Sequence, residues 1–324
     1  MKNKYPKVSV VMLNYNGLKY LKRTIPPILK LDYLNYEFII VDNGSTDGSI
    51  EFIKKFKKIK LIENKENLGY GKGKNIGVKE ANGEYILLLD NDIIIREKTI
   101  IKNLIKYNNK NTAFVYTPVI NIGEEKSTFY GLYYSFFGVK FNIKKIKLNR
   151  ILLNKKISIG APDGKNMFFS KEKWIKIGGF DESQTYNLDD VDIGPRAYIL
   201  GYENYLYTKT KSSFLHLGID HQSNVKSYVF RFKSLFSGHA RSMIKNYNIF
   251  NLIIRFPLMS LFLLSKSIKY SIKYRSVNVF FAFIYSIGVF LKNLPDTLKQ
   301  RKIIQSKRII KEDIFLKIKP PKFD

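Results

Sequence analysis

Four short apolar runs recur in the first third of the chain, and helical patterns separate them. The runs are Val8–Leu13, Phe38–Val41, Ile59–Ile62 and Tyr85–Leu89. Between the first two runs, apolar residues recur at the spacing of an amphipathic helix, as Leu18, Leu21, Ile25, Ile28 and Leu29. Strands that alternate with helices indicate βαβ units. The pattern therefore predicts an α/β fold with a mostly parallel sheet flanked by helices.

Polar residues follow each apolar run, at the point where each predicted strand ends. These groups are Asn14-Tyr15-Asn16, Asp42-Asn43-Gly44, Glu63-Asn64 and Asp90-Asn91-Asp92. Open parallel sheets bind their ligands at the carboxyl ends of the strands. Burying an unpaired carboxylate costs free energy, so acids at this edge need a partner or a ligand. The sequence predicts that the functional site lies here.

Asp90 and Asp92 end the most continuous apolar run, EYILLLDND. Their i, i+2 spacing would turn both carboxylates to one side of a strand. Mg²⁺ and Mn²⁺ prefer carboxylate oxygens and keep positions for phosphate oxygens and water. An acidic turn is the alternative, and Asn91 would suit one. The neighbouring strand end at Asp42, which could bind a nucleobase or ribose hydroxyls, favours a nucleotide and metal site.

Three further features carry candidate chemistry. The stretch Gly69–Asn75 matches neither the P-loop nor the dinucleotide fingerprint, so we interpret its glycines as a close backbone approach to a nucleotide. Crowded carboxylates raise at least one pKa, so Asp189 and Asp190 could poise a general base. Asp192 is interpreted as a charge at a helix N-terminus. His216 is a candidate ligand of metal or phosphate, although isolated histidines are usually structural.

From about Lys226 onward, the sequence changes to helical patterns rich in basic residues. The chain carries a formal net charge of +29, and more than half of it lies after residue 225. The apolar stretches Leu252–Leu264, which Arg255 and Pro257 interrupt, and Val277–Leu291 are shorter than the roughly 20 apolar residues of a membrane span. They predict amphipathic segments at an anionic membrane surface; a helical hairpin on the first domain or a protomer interface is the alternative. We expect two domains, residues 1–225 and 226–324.

The composition excludes several classes of protein. The chain contains no Cys, which excludes disulfide frameworks, thiolate metal sites and Cys nucleophiles. A hydrophobic content of 45% supports a packed core. The first residues show no long apolar segment of a cleavable signal. We expect a cytoplasmic protein, at the cytoplasmic face of the cell membrane.

These motifs, taken in order, resemble the family 2 glycosyltransferases. The resemblance covers about residues 7–220 and is carried by VSVVMLNYNGLKYL, VDNGSTDGS, NKENLGYGKGKNIGVKEANGEYILLLDND, GAPDGKNMFFSKEKWIKIGGFDES and DDVD. It implies the GT-A fold, a Rossmann-like and mostly parallel sheet flanked by helices, here with a C-terminal helical extension. Within the family, the pattern and the basic tail are most similar to rhamnosyltransferase-like members that build cell-surface glycans.

The resemblance implies roles for the matching positions on the donor side. The residues that would border or line the nucleotide pocket are Asn14, Tyr15, Asn16, Asp42, Asn67, Gly69 and Asn75. Within this set, Asp42 would recognise the base. The donor would be a nucleotide-diphosphate sugar, linked to UDP, dTDP or GDP.

The resemblance also implies the residues for metal binding and catalysis. Asp92 would ligate the Mg²⁺ or Mn²⁺ that bridges the diphosphate, and Asp90 would contact the ribose or the metal. His216 would meet the metal or a phosphate. Asp190, with Asp189 beside it, would deprotonate the acceptor hydroxyl. The implied reaction is an inverting sugar transfer to a glycan or lipid-linked acceptor, in the synthesis of cell-surface polysaccharide or glycoprotein glycans.

Two departures from the family pattern concern the acceptor side. Asp189 stands where the acidic motif usually has Glu, so a shorter side chain fills that position. Asp163–Asn166 is more polar than the aliphatic run that usually follows the small residues. We expect residues 121–165 and the tail to determine which acceptor binds.

Two other functions stay open from the sequence. A nucleotidyltransferase would usually carry a basic, glycine-rich loop after its first strand, where this chain has Asn14-Tyr15-Asn16-Gly17. A non-catalytic protein that binds membranes or nucleic acid would explain the positive charge. It would not explain the acids at the strand ends, which repel a polyanion. We expect no nucleic-acid partner, and a homo-oligomer is possible.

Overall fold

An eight-stranded mixed sheet lies at the centre of the protein. The computed structural model describes residues 5–121, 128–142, 156–184, 188–208, 214–218 and 225–320. The strand order is β11-β13-β6-β12-β4-β1-β2-β3. The strands are β1 Val8–Asn14, β2 Tyr36–Asp42, β3 Ile59–Glu63, β4 Tyr85–Asp90, β6 Thr112–Tyr116, β11 Ile157–Ser158, β12 Asn166–Ser170 and β13 Glu203–Leu206.

The four strands predicted from the sequence run parallel and in register. Asn14 lies opposite Asp42, and Leu13 lies opposite Asp90. Asp42 in turn lies opposite Glu63 on β3. Strand β12 runs antiparallel beside β4, so the sheet is mixed beyond this point. This register brings the polar strand ends to one edge of the sheet.

Helices cover both faces of the sheet because its central strands are apolar on both sides. The helices are α1 Leu18–Leu29, α2 Ser49–Lys54, α3 Tyr70–Lys79, α4 Ile100–Tyr107, α5 Lys171–Ile177 and α6 Asp189–Ile199. On one face, Val10 and Met12 of β1 pack in a core with α1 and α4. On the other face, Val11 packs in a second core with α3, α5 and α6. Both faces of the sheet are therefore closed to solvent.

Short strands beyond the main sheet complete the described part of this region. A four-stranded sheet has the order β5-β14-β7-β8, with β5 Ile93–Ile95, β7 Val119–Asn121, β8 Thr128–Phe129 and β14 Phe214–His216. A two-stranded hairpin pairs β9 Leu132–Tyr134 with β10 Lys140–Asn142. In the smaller sheet, His216 lies opposite Ile93, next to the turn that carries Asp92. This pairing brings His216 to the end of β4.

The C-terminal region forms four helices and a 3₁₀ turn. They are α7 Val225–Asn246, α8 Ile249–Lys273, α9 Asn278–Lys292, α10 Leu294–Ser306 and the turn Ile314–Leu316. These helices share an apolar core with Tyr134, Val139, Leu188 and Val191 of the preceding region. The two regions are therefore packed against each other through a common core.

Helix α8 continues without a break through Arg255 and Pro257, the two residues that interrupt the apolar stretch in the sequence. Of the described helices, α8 is long and apolar enough to cross a membrane, and 11% of its most apolar window is buried in the protein. Helices α9 and α10 pass the same test together, but they meet at a bend of 60°. Several large apolar side chains of α8 are exposed, among them Phe250, Ile253 and Leu261.

Candidate active site

Asn14 connects the ends of three strands. It is fully buried, and its Nδ2 donates a hydrogen bond of 2.7 Å to Oδ2 of Asp42 on β2. Its Oδ1 accepts a bond of 2.7 Å from Nδ2 of Asn91, which follows β4. Gly17 lies against both amides, and a Cβ at this position would lie 2.0 Å from Asn91 Nδ2. The first turn therefore fixes the relative position of β1, β2 and β4.

The carboxylate of Asp42 is buried and held by neutral donors. Asn14 donates to Oδ2, and the backbone N–H of Ser45 donates to Oδ1 over 2.8 Å. A carboxylate can accept about four hydrogen bonds, so both oxygens keep capacity for a ligand. Tyr15 is half exposed beside it, and Asn16 has a left-handed φ of 46°. These residues lie together at the strand ends.

The residues predicted to line the nucleotide pocket lie in two different parts of the structure. Oδ1 of Asn67 accepts bonds from Gly69 N over 2.9 Å and from Asn43 Nδ2 over 3.0 Å, which orders the loop before α3. Asn75 instead bonds the backbone of Phe180 twice, at 2.9 and 3.0 Å. Asn67 and Gly69 therefore lie at the end of β2, whereas the side chain of Asn75 holds the loop after α5.

Asp90 is paired with a buried lysine that the sequence did not identify as its partner. Lys74 is fully buried, and its Nζ lies 2.6 Å from Asp90 Oδ1 and 2.7 Å from Gly164 O. The hydroxyl of Tyr70 lies 3.1 Å from the same Asp90 oxygen. Burial raises the pKa of Asp90, although the Lys74 ammonium acts to lower it. Asp90 thus already has a cationic partner within the protein.

Asp92 lies in the turn after β4, and it contacts a different partner from Asp90. Its Oδ2 is 3.0 Å from Nε2 of His216. The opposite ring nitrogen, Nδ1, lies 2.8 Å from Oδ1 of Asn121. The imidazole of His216 therefore lies between an amide oxygen and a carboxylate oxygen, both of which accept hydrogen bonds.

The pair of Asp92 and His216 fits a divalent cation bound partly by its substrate. Oδ1 of Asp92 is buried and has no hydrogen-bond partner among the described residues. Mg²⁺ typically binds one or two carboxylates and takes its other ligands from phosphates and water. Within the described ranges, no cluster of three or more His, Asp or Glu side chains could hold a metal by itself. These two residues could hold a metal that a diphosphate completes.

Asp189 and Asp190 begin α6 and have contrasting environments. Asp190 Oδ1 lies 3.0 Å from Nζ of Lys140, and its Oδ2 faces the backbone N–H of Gly164 at 3.4 Å. Asp189 is buried, and its Oδ1 has no hydrogen-bond partner in the part of the chain that the structure describes. Burial, followed by the charge of Asp190, raises the pKa of Asp189 well above its usual range. Asp190 is thus the member of the pair that a lysine holds.

Asp192 lies in the first turn of α6, as the sequence suggested, and it also forms ion pairs there. It is fully buried, and Arg196 of the same helix and Lys245 of α7 each lie 2.9 Å from its Oδ2. Asn246 donates a bond of 2.7 Å to Oδ1. Although burial acts to raise the pKa of Asp192, the two cations lower it. The sequence did not identify the partners on α7, because that helix is distant along the chain.

Sequence reasoning missed several charged residues around this edge. They are Lys74, Lys140 and the pair Asp163–Lys165, in which Nζ of Lys165 lies 2.9 and 2.8 Å from the two carboxylate oxygens. The available signal was the polar stretch Asp163–Asn166, because Lys165 precedes a strand that pairs with β4. Each of the three lysines contacts one carboxylate. The edge therefore combines acids with matching cations.

This arrangement brings together the polar strand ends, the pair of Asp92 and His216, and a carboxylate that a lysine holds. The model of the family "Glycosyl transferase family 2" matches residues 9–176, just over half of the chain. The chain is 28% identical to the glycosyltransferase GlyG of Streptococcus pneumoniae over 227 residues, which are 66% of this chain and 74% of GlyG. It is 37% identical over 150 residues to the uncharacterized glycosyltransferase MJ1057 of Methanocaldococcus jannaschii, covering 44% of this chain and half of MJ1057.

The fold of this chain is similar to the folds of solved structures. TarS of S. aureus, residues 1–349, superposes with a TM-score of 0.59 at 16% identity, over 96% of this chain and 90% of that one. The mannosyltransferase PcManGT of Pyrobaculum calidifontis superposes with a TM-score of 0.56 at 15% identity, over 94% and 86%. At such identities the likeness concerns the fold alone, and it confirms the predicted GT-A fold. Together with the family match, it establishes that this chain is an enzyme that belongs to glycosyl transferase family 2.

Proposed function

We propose that this enzyme is an inverting glycosyltransferase that moves a sugar from a nucleotide-diphosphate donor to a hydroxyl of a glycan or lipid-linked acceptor. The observation that carries the proposal is the buried, unpartnered Oδ1 of Asp92 beside His216, at the same strand-end edge as Asp190. A buried carboxylate oxygen without a partner is costly. A divalent cation on a donor diphosphate would compensate it.

In the proposed reaction, the chain's own residues hold the donor and move one proton. Asp92 and His216 would hold Mg²⁺ or Mn²⁺, which supplies charge neutralisation for the leaving nucleoside diphosphate. Asp190 accepts the proton of the acceptor hydroxyl as its oxygen bonds to the anomeric carbon and the bond to the diphosphate breaks. A single displacement inverts the anomeric centre. The network of Asn14, Asp42 and Asn67 would border the nucleotide.

The donor class follows from the fold neighbours and the sequence. A structure of TarS contains UDP, and PcManGT contains GDP-Man and Mn²⁺. We infer a UDP-, dTDP- or GDP-linked sugar for this enzyme, and a divalent metal with it. Because the sequence resembles rhamnosyltransferase-like members, dTDP-rhamnose belongs among the first donors to test.

The C-terminal helices support a location at the cytoplasmic face of a membrane. Large apolar side chains on α8 and α9 are exposed, among them Phe250, Ile253, Leu261, Ile272 and Phe281. Basic residues lie among them, including Lys266, Lys269, Lys273 and Arg275. Apolar side chains next to cations favour an anionic lipid surface. A lipid-linked acceptor of a cell-surface glycan would be presented at the same surface.

Co-sedimentation with vesicles tests this location. We expect the full chain to bind vesicles that contain phosphatidylglycerol and to bind phosphatidylcholine vesicles less. Replacement of Ile253 and Leu261 by Ser should weaken binding. A concentration-dependent dimer in solution that buries these residues would instead assign the surface to a homo-oligomer.

A donor screen tests the proposed activity. The enzyme with Mn²⁺ is incubated with each nucleotide sugar and with glycan or lipid-linked acceptors, and the released nucleotide is identified. We expect nucleoside diphosphate with one donor class, and loss of turnover with EDTA. Release of pyrophosphate would indicate a nucleotidyltransferase. Asp190→Asn should abolish transfer and preserve nucleoside diphosphate binding, and retained turnover would remove Asp190 as the base.

A further inference from the structure

The segment Leu132–Asn142 lies between the C-terminal helices and the start of α6. It consists of β9, a tight turn and β10. Tyr134 and Val139 belong to the apolar core that the C-terminal helices form. The segment has no counterpart among the motifs that define the family resemblance. Its contacts with α6 on one side and with the C-terminal helices on the other indicate its role.

On one side, the segment contacts α6 at the residues that carry the candidate chemistry. The hydroxyl of Tyr134 donates a bond of 2.6 Å to the carbonyl of Val191. Lys140 Nζ lies 3.0 Å from Asp190 Oδ1, with 23% of the Lys140 side chain and 13% of the Asp190 side chain exposed. A partly buried ion pair of this kind is screened less than a surface pair. The segment thus fixes both the backbone and the carboxylate at this point.

On the other side, the segment is held by α7 and α8. The rings of Phe137 and Phe262 stack with centroids 4.9 Å apart and an interplanar angle of 11°. Tyr247, the residue that follows α7, donates a bond of 3.3 Å to the carbonyl of Gly138, and Arg255 on α8 donates to the carbonyl of Phe136. The turn before β10 is therefore attached to the helices whose outer faces are apolar.

We infer that Lys140 is a positioning residue for Asp190, and that helices α7 and α8 hold Lys140 in place through this segment. The inference rests on the proposed function, in which Asp190 takes the acceptor proton. Lys140 fixes Oδ1, so Oδ2 is the oxygen left to face an acceptor hydroxyl. On that second oxygen, the described residues supply Asp190 with one long contact, of 3.4 Å from Gly164 N. Without Lys140, the carboxylate could rotate away from the productive orientation.

Steady-state kinetics of matched variants test the positioning role. Lys140→Met should lower kcat by about 10- to 100-fold, since misplacement of a reacting group by about 1 Å has that effect. The affinity for nucleoside diphosphate with Mn²⁺ should change less than about twofold, because Lys140 pairs with Asp190, which acts on the acceptor in the proposed site. Lys140→Arg should restore most of kcat. Lys106→Met removes the same charge at an exposed position of α4 and should behave as the wild type.

Phe137→Ala tests the connection to the C-terminal helices. If these helices act through Lys140, Phe137→Ala lowers kcat in the wild type but adds little loss in the Lys140→Met background. Losses that multiply in the double variant would contradict the connection. A kcat of Lys140→Met equal to that of Lys106→Met would overturn the positioning role.

Unfolding measurements test the ion pair without reference to activity. Lys140→Met and Asp190→Asn should each lower Tm, and the double variant should lose less than the sum of the two losses. Additive losses would show that the two groups do not interact, and the inference would fall. If the wild type transfers no sugar but the losses in Tm are non-additive, the proposed function is refuted. The contact between Lys140 and Asp190 is then still supported.

Discussion

The buried ion pair of Lys74 and Asp90 gives the sharpest test of how this edge of the sheet is stabilised. Replacement of Lys74 by Met keeps most of the apolar stem and removes the ammonium. Its Nζ contacts Asp90 Oδ1 at 2.6 Å, Gly164 O at 2.7 Å and the Tyr70 hydroxyl, so all three of its donors are used. Removing one partner of a buried pair costs about 3–5 kcal/mol, because the other charge stays buried and uncompensated. With 24% of the Asp90 side chain exposed, we expect the lower end, about 3 kcal/mol.

A surface ion pair on the same sheet provides the control. Lys60 Nζ lies 3.0 Å from Glu80 Oε2, with nearly half of each side chain exposed. Lys60→Met should therefore cost about 0.2–1 kcal/mol. Trp174, the single tryptophan of the chain, is buried against Phe169 and reports urea unfolding by fluorescence. Equal losses for the two variants, both below about 1 kcal/mol, would refute the assigned burial of Lys74.

Three further predictions concern the same edge. Asp189→Asn should raise Tm at pH 8 by roughly 2 °C or more and have little effect near pH 4. Because burial raises the pKa of Asp189, the stability it contributes is present below its unfolded pKa of about 3.9 and lost as pH rises through the folded value. A Tm difference that does not depend on pH would contradict this. Gly17→Ala should cost about 1–3 kcal/mol in urea unfolding, since its Cβ would lie 2.3 Å from Asn14 Oδ1; an unchanged midpoint would contradict it. Asp92→Asn should weaken Mn²⁺-dependent UDP binding at least about tenfold in calorimetry, and wild-type binding that EDTA leaves unchanged would argue against a metal at Asp92.

Local sequence patterns were sufficient for the parallel half of the sheet. The apolar runs that end at Asn14, Asp42 and Asp90 are buried strands, and their register follows from the βαβ order. The GT-A fold was predicted from the motifs because several of them occur in sequence order. Such patterns do not predict contacts between residues that are distant in sequence. The partners of Asp90 and Asp192, for example, come from α3 and α7.

The different partners of Asp90 and Asp92 show this limit at a single site. Their i, i+2 spacing suggested two carboxylates presented together on one side of a strand. In the structure, β4 ends at Asp90, so Asp92 lies in a turn and leaves the alternation of the strand. Lys74 reaches Asp90 from α3, whereas His216 reaches Asp92 from β14. One carboxylate therefore pairs with a buried lysine, and the other faces a histidine.

The sequence by itself determined which residues are apolar, where the strands end and which acids follow them. Periodicity and turn residues encode these features locally, within a few positions along the chain. Only the tertiary structure decided which charged side chains form ion pairs, because burial and ion pairing depend on elements that are far apart in sequence. The link from α7 and α8 through Lys140 to Asp190 is of this kind. It arises from the packing of the C-terminal helices, which no local pattern specifies.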